Sequence, residues 1–142
     1  MVAPARFGEH VELRRAHDAP ALLRPDRGQR TAEIAAAHVE RCGLIVLARN
    51  FRCRAGEIDL ICRDGEFLVF VEVRLRSRRD FGGALASVGP QKRRRIVRAA
   101  QFYVLTEPRR RNHRLRFDVV ALQGGREGEV RLEWIKDAFR GG

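Results

Sequence analysis

The sequence predicts an α/β domain in which a mixed sheet is flanked by helices, in the order αβββαββ. Three observations predict it. The run Phe67–Arg76 is apolar on both alternating faces, as a strand covered from both sides must be. Asp64-Gly65 just before it is a hairpin signal, which makes the preceding strand its antiparallel neighbour. Helical periods on either side of this strand-rich middle supply the covering layers.

At 142 residues the chain is the length of one ordinary domain and can bury a core without disulfides or structural metal. Residues 1–27 mix Pro4, Pro20 and Pro25 with charges and show no sustained period, so they read as a loosely ordered arm before a folded domain at 28–142. From Gly28 to Cys42 strong helix formers dominate, with Ala32, Ala35, Ala36 and Val39 able to face a core and Gly43 as a stop. Leu44 to Phe51 alternates as a first strand, and about Glu57 to Cys62 forms a second. In the third, Phe67–Arg76, period-2 geometry puts Leu68, Phe70, Glu72 and Arg74 on one face and Val69, Val71, Val73 and Leu75 on the other.

Ser77 to Gly89 reads as an arginine- and glycine-rich loop, and Pro90 suits the first turn of a helix reaching about Thr106. Ile96, Val97, Ala100 and Val104 make its apolar stripe, and Gln91, Arg94, Arg95, Arg98 and Gln101 take the opposite side. Leu115 to Gln123 is the fourth strand, Gly124 to Gly128 a turn, and Val130 to Ile135 the fifth strand.

The net charge of +11 is far from typical, and of the 29 basic residues only Lys92 and Lys136 are lysine. Arginine's planar fork matches phosphate, so a nucleic-acid partner is expected, DNA before RNA. A homodimer is compatible with this reading. Cys42, Cys53 and Cys62 form no Cys-x-x-Cys pair and have no histidine at a ligand interval, which argues against zinc and for reduced, mostly buried thiols. His10, His17, His38 and His113 are scattered, and no Ser/His/Asp or Cys/His set can be drawn. Charges interrupt the N-terminus and no run approaches membrane-spanning length, so a cytoplasmic protein without a membrane partner is expected.

Chemistry is expected where carboxylates enter apolar strands. Asp59 lies among Ile58, Leu60 and Ile61, and Glu72 among Val69, Phe70, Val71 and Val73. A buried carboxylate needs a cation, hydrogen-bond donors or a metal, or it takes up a proton. On adjacent antiparallel strands the two could reach one divalent ion, and oxygen donors without Cys or His select Mg²⁺ or Mn²⁺. Arg74 projects from the same face as Glu72, beside the place a scissile phosphate would take.

This acid followed by acid-x-base pattern resembles the PD-(D/E)xK nuclease superfamily. More closely, the chain is similar to the YraN family of small bacterial proteins over about Gly28 to Phe139. The resemblance rests on Arg30-Thr31-Ala32-Glu33, Arg49-Asn50-Phe51-Arg52, Gly56-Glu57-Ile58-Asp59-Leu60-Ile61, Phe70-Val71-Glu72-Val73-Arg74, Lys92-Arg93, Ala99-Ala100 and Arg116-Phe117-Asp118-Val119. It implies a restriction-endonuclease-like core akin to archaeal Holliday-junction resolvases, and an endonuclease for branched or flapped DNA. It also implies that Glu33, matching a helix glutamate of those enzymes, joins Asp59 and Glu72 as metal ligands. Arg74 stands where that motif carries lysine, and arginine can stabilise charge but stays protonated.

Each residue also has a plainer reading. Glu72 with Arg74 could be a structural ion pair, Glu33 an exposed acid at a helix start, Glu57 a solvent-facing residue, and Arg116 with Asp118 a cross-strand pair. Gln91, Lys92, Arg94, Arg95 and Arg98 are the expected nucleic-acid contacts, with Lys92 able to supply the charge of the missing motif lysine. The competing function is a non-catalytic nucleic-acid-binding protein that kept the fold and lost the lysine.

Overall fold

The computed structural model describes residues 10–14, 27–76, 88–124 and 129–141, with side-chain surroundings defined from residue 30 onward. Its elements are β1 (His10–Arg14), α1 (Arg27–Arg41), β2 (Ile45–Cys53), β3 (Gly56–Asp64), β4 (Phe67–Arg76), α2 (Pro90–Leu105), a 3₁₀ turn (Pro108–Asn112), β5 (Arg114–Gly124) and β6 (Val130–Phe139). The strands form one sheet ordered β1-β6-β5-β4-β3-β2. Only the central β4–β5 pair is parallel, which α2 makes possible as the crossover, and every other pairing is antiparallel.

This is the expected mixed sheet between helices, in the restriction-endonuclease-like arrangement, with one addition. The arm expected to be loosely ordered contributes β1, which pairs with β6 from His10↔Trp134 to Arg14↔Val130 and makes a sixth strand. Five residues with an exposed partner edge available need no strong period of their own to be recruited. The rest of the arm, most of the 77–89 loop and the 125–128 turn lie outside the described residues.

The sheet carries a core on each face. On one, Ile34, Ala35, Ala36 and Val39 of α1 pack on Val69, Val71, Val120, Leu122, Leu132 and Trp134. On the other, Ile96, Ala99, Ala100 and Tyr103 of α2 pack on Ile58, Ile61, Leu68, Phe70, Phe117 and Val119. The faces of β4 therefore alternate as expected. Both helix stripes, however, are turned slightly from the expected ones. Ile34 rather than Ala32 enters the core from α1, while Ala99 and Tyr103 do so from α2, leaving Val97 and Val104 at its margin. On α1 the isoleucine fills space that an alanine would leave, whereas on α2 the small Ala99 faces the sheet and the Tyr103 ring fills the space beside it.

The β3–β4 hairpin is closed by Gly65 and Glu66 between the Asp64↔Phe67 pair, and Gly65 takes a φ of 58°, a conformation that glycine adopts without penalty. At its other end Gly56 has a packing role. A Cβ there would lie 3.3 Å from Cβ of Arg95 and 3.4 Å from its carbonyl oxygen, so the missing side chain lets α2 press against the start of β3.

Candidate active site

The β3–β4 ladder runs from Asp64↔Phe67 to Leu60↔Val71 and stops one pair short of Asp59 and Glu72. Where the main chains part, the Asp59 side chain takes over: its Oδ2 accepts the Val73 N–H at 2.8 Å. This anchors one carboxylate oxygen against β4 and places Asp59 beside Glu72 on the α2 face. Asp59 is partly buried, and Glu72 is only 4% exposed.

Burial first, then the negative charge of Asp59 and a hydrogen bond between the two carboxyl groups, together raise the pKa of Glu72 from 4.5 to about 8 against the pull of Lys92 and Arg74. The two cations stand near but not in ideal contact. Lys92 Nζ lies 3.4 Å from Glu72 Oε2, and Arg74 places a guanidinium nitrogen 3.7 Å from the same oxygen. Both are more than a third exposed. Glu72 thus has a like-charged neighbour, two partly solvated cations and no bidentate partner.

Lys92 reaches Glu72 from the first turn of α2, with Arg95 and Ile96 one turn further on. Ile96 is buried in the core and Arg95 is held against Gly56, so two contacts fix the orientation of that turn. Beside Lys92 a cavity of about 330 Å³ opens between Arg52 and Gly56 on the β2–β3 side and Arg95 and Ile96 on the helix side. Gln91, Arg94 and Arg98 are exposed on the outer face of α2.

Glu33 is placed elsewhere. It sits on α1, the helix covering the other face of the sheet, is about half exposed and faces Arg30 at 3.6 Å. Among the described residues no group of three or more His, Cys, Asp or Glu side chains is placed to hold one ion. The expected triad of Glu33, Asp59 and Glu72 is therefore not assembled, because α1 covers the face of the sheet opposite to the one from which Asp59 and Glu72 meet Lys92. What is assembled is a pair. Two hard oxygen donors, one of them buried and proton-retaining, fit a divalent cation that would replace the shared proton. Glu57 is exposed and faces Arg52 at 3.4 Å, the solvent-facing reading.

A second acid centre lies on the α1 side of the sheet. Arg116 donates from Nε and a terminal nitrogen to both oxygens of Asp118, at 3.0 and 2.9 Å, and from its other terminal nitrogen to Asp64 at 2.9 Å. Trp134 Nε1 and the Asp137 backbone N–H also donate to Asp118, each at 3.0 Å. Arg116 and Asp118 are neighbours along one face of β5, not a cross-strand pair, since residues two apart share a face. Asp137 meets Asp118 from a backbone with φ of 53°, and the break in β5–β6 register between Phe117 and Val119 makes room for it.

The cysteines are less uniformly buried than expected. Cys62 is enclosed, and burial followed by the charge of Asp118 pushes its thiol up to about 12, which makes it inert. Cys42 is exposed and Cys53 partly so. Among the described residues no helix is long and apolar enough to cross a membrane.

Sequence reasoning missed Phe102, which stands on the polar side of α2 and is 49% exposed. Its position seven residues after Arg95 and four after Arg98 was a legible signal, an aromatic interrupting a basic helical stripe.

Residues 32–122 match the model of "Uncharacterised protein family UPF0102", a span from α1 to the end of β5. A UPF0102 protein of Dechloromonas aromatica is 58% identical over 113 residues, covering 80% of this chain and 88% of its own. One of Pseudomonas putida is 45% identical, covering 84% and 98%, and one of Pseudomonas aeruginosa is 43% identical, covering 80% and 92%.

Proposed function

The chain belongs to the UPF0102 family, known also as YraN, and from the geometry of its own residues we propose that it is a metal-dependent endonuclease acting on DNA, branched or flapped in form. One observation carries this reading: Asp59 and Glu72 are brought together in a buried pair that raises the Glu72 pKa to about 8, beside Lys92 and Arg74. A structural ion pair would be expected to neutralise its acid with good geometry, whereas here the acid is left strained next to open cationic surface.

Asp59 and Glu72 would hold Mg²⁺ or Mn²⁺. Such an ion polarises a phosphate oxygen and acidifies the water that attacks it. Asp59 would offer the oxygen not engaged by Val73, and its anchoring to β4 preorganises the pair. Glu72 would serve as a ligand in its ionised form, with its proton passing to solvent. Lys92 takes the place of a motif lysine by reaching the same carboxylate from α2, and it orients water or the scissile phosphate as a compact cation. Arg74 stabilises charge developing on the phosphate. The net charge of +11 and the exposed Gln91, Arg94, Arg95 and Arg98 supply sequence-independent affinity for the backbone.

A second reading, a binding protein without catalysis, is favoured by Arg74 itself, which cannot lose a proton as lysine can. The test is purified protein on duplex, single-stranded, flap and four-way DNA and on RNA, with EDTA or with each metal. Nicking that requires Mg²⁺ or Mn²⁺ and disappears in Asp59→Ala and Glu72→Ala is the expected result. Tight, salt-sensitive binding with no product on any substrate would establish the binding protein instead.

A further inference from the structure

The outer face of α2 carries more than charge. Gln91, Arg95, Arg98, Phe102 and Leu105 fall at i, i+4, i+7, i+11 and i+14, a single helical stripe. Phe102 is 49% exposed although it stands on a helix whose other aromatic, Tyr103, is buried. Its ring is not loose. The centroid lies 6.4 Å from that of Phe51 on β2, and Phe51 is held edge-on against Tyr103 at 5.2 Å. Phe102 is thus a supported ring with much of its surface open to solvent.

The residue after Phe51 is Arg52, which lines the 330 Å³ cavity with Lys92 and Arg95, three cations against the one carboxylate of Glu57, which pairs with Arg52 at 3.4 Å. A cationic recess beside the carboxylate pair and an exposed aromatic are therefore linked by both β2 and α2. Arg95 and Phe102 are seven residues apart, about 10.5 Å along a helix axis, or about three stacked nucleotides at 3.4 Å each.

We infer that Phe102, backed by Phe51, is a base-stacking platform, and that the cavity between Arg52 and Arg95 seats a backbone phosphate of the same unpaired strand. The inference rests on the nucleic-acid reading above and narrows it to substrates presenting single-stranded nucleotides. A paired duplex offers phosphates to Arg95 and Arg98 but keeps its base faces inside the stack. An unpaired strand offers both, and a phenyl ring accepts any base because every base has a π-face. Charge complementarity selects this occupant over an apolar one, since the stripe around Phe102 is basic on its N-terminal side.

The experiment measures binding of the full chain in EDTA, by fluorescence anisotropy, to a single-stranded oligonucleotide and to a duplex of the same sequence. Phe102→Ala is expected to weaken single-strand binding by about tenfold or more and duplex binding by less than about twofold. Phe102→Trp should restore it, and Phe102→Leu, which keeps apolar bulk without a ring, should behave as alanine does. With 2-aminopurine in the oligonucleotide, wild-type protein should quench the base and Phe102→Ala should not. Equal losses on both nucleic acids, a leucine variant equal to wild type, or unquenched 2-aminopurine would overturn the inference. So would dissociation of a dimer by Phe102→Ala in sedimentation, which would make the ring a contact between copies. No cutting is needed for any readout, so a protein that never cleaves can still stack bases, and one that cleaves without single-strand preference sinks this inference alone.

Discussion

Asp118 and Glu72 are both buried on the two central strands of one sheet, 0% and 4% exposed. Asp118 accepts four hydrogen bonds, from Arg116 at both oxygens, from Trp134 and from the Asp137 backbone. Glu72 faces a second carboxylate and two cations at 3.4 and 3.7 Å. Burial alone therefore does not mark a functional acid. A carboxylate whose lone pairs are all used has nothing left for a ligand, whereas one that is desolvated and repelled gains by exchanging its proton for a cation.

The largest effects should separate the two centres outright. Asp59→Ala and Glu72→Ala are expected to bring metal-dependent cleavage to background while the far-ultraviolet circular dichroism stays that of the wild type. Asp118→Ala leaves Arg116 buried without its main partner, and should cost about 3–5 kcal/mol in urea unfolding, the usual penalty for breaking a buried pair. If Asp118→Ala were as stable as wild type yet inactive, the division between the centres would be mistaken.

Stability against pH sharpens the same contrast. The folded chain holds the Glu72 proton to about pH 8 and the unfolded chain to about 4.5, so the folded state binds more protons between these values. The contribution of this group is full below about 4.5, declines as pH rises towards 8 and is lost beyond it. Glu72→Gln should abolish that decline, gaining on the order of 4 kcal/mol on wild type between pH 5 and pH 9. Parallel unfolding curves for the two proteins across that range would show that Glu72 is not strained.

Smaller effects concern the cations and the packing that aims them. Arg74→Lys should raise cleavage by several-fold if arginine weakens a working site, and unchanged rates would assign that duty to Lys92. Gly56→Ala adds a Cβ 3.3 Å from that of Arg95, displaces the first turns of α2 slightly and should cost about 1 kcal/mol. Its cleavage rate should fall more than its stability, because the same turn carries Lys92. A stability loss with unchanged rate would separate the helix position from catalysis.

Much of this was legible in local patterns. The two-faced run Phe67–Arg76 identified β4 to the residue, Asp64-Gly65 identified the hairpin, and odd–even alternation put Glu72 and Arg74 on one face. Local pattern was insufficient where partners come from distant segments. β1 has a weak period and exists as a strand because β6 offers an edge. Glu33 has a motif beside it, yet the layer that α1 covers depends on the packing of the whole domain. Arg116 and Asp118 read as a simple pair, while Asp64, Trp134 and Asp137, which complete their network, lie up to 52 residues away in the chain.

Neighbours in the chain and their period are enough to set the alternation of strands, the hairpin, the placement of two acids in apolar strands and the abundance of arginine. It took the packed domain to show that Asp59 binds Val73 where β3 and β4 part, that Lys92 meets Glu72 from another element, and that Asp118 is held by four donors while Glu72 faces a second carboxylate. Those outcomes depend on desolvation and on distances between segments remote in sequence, which no local pattern encodes.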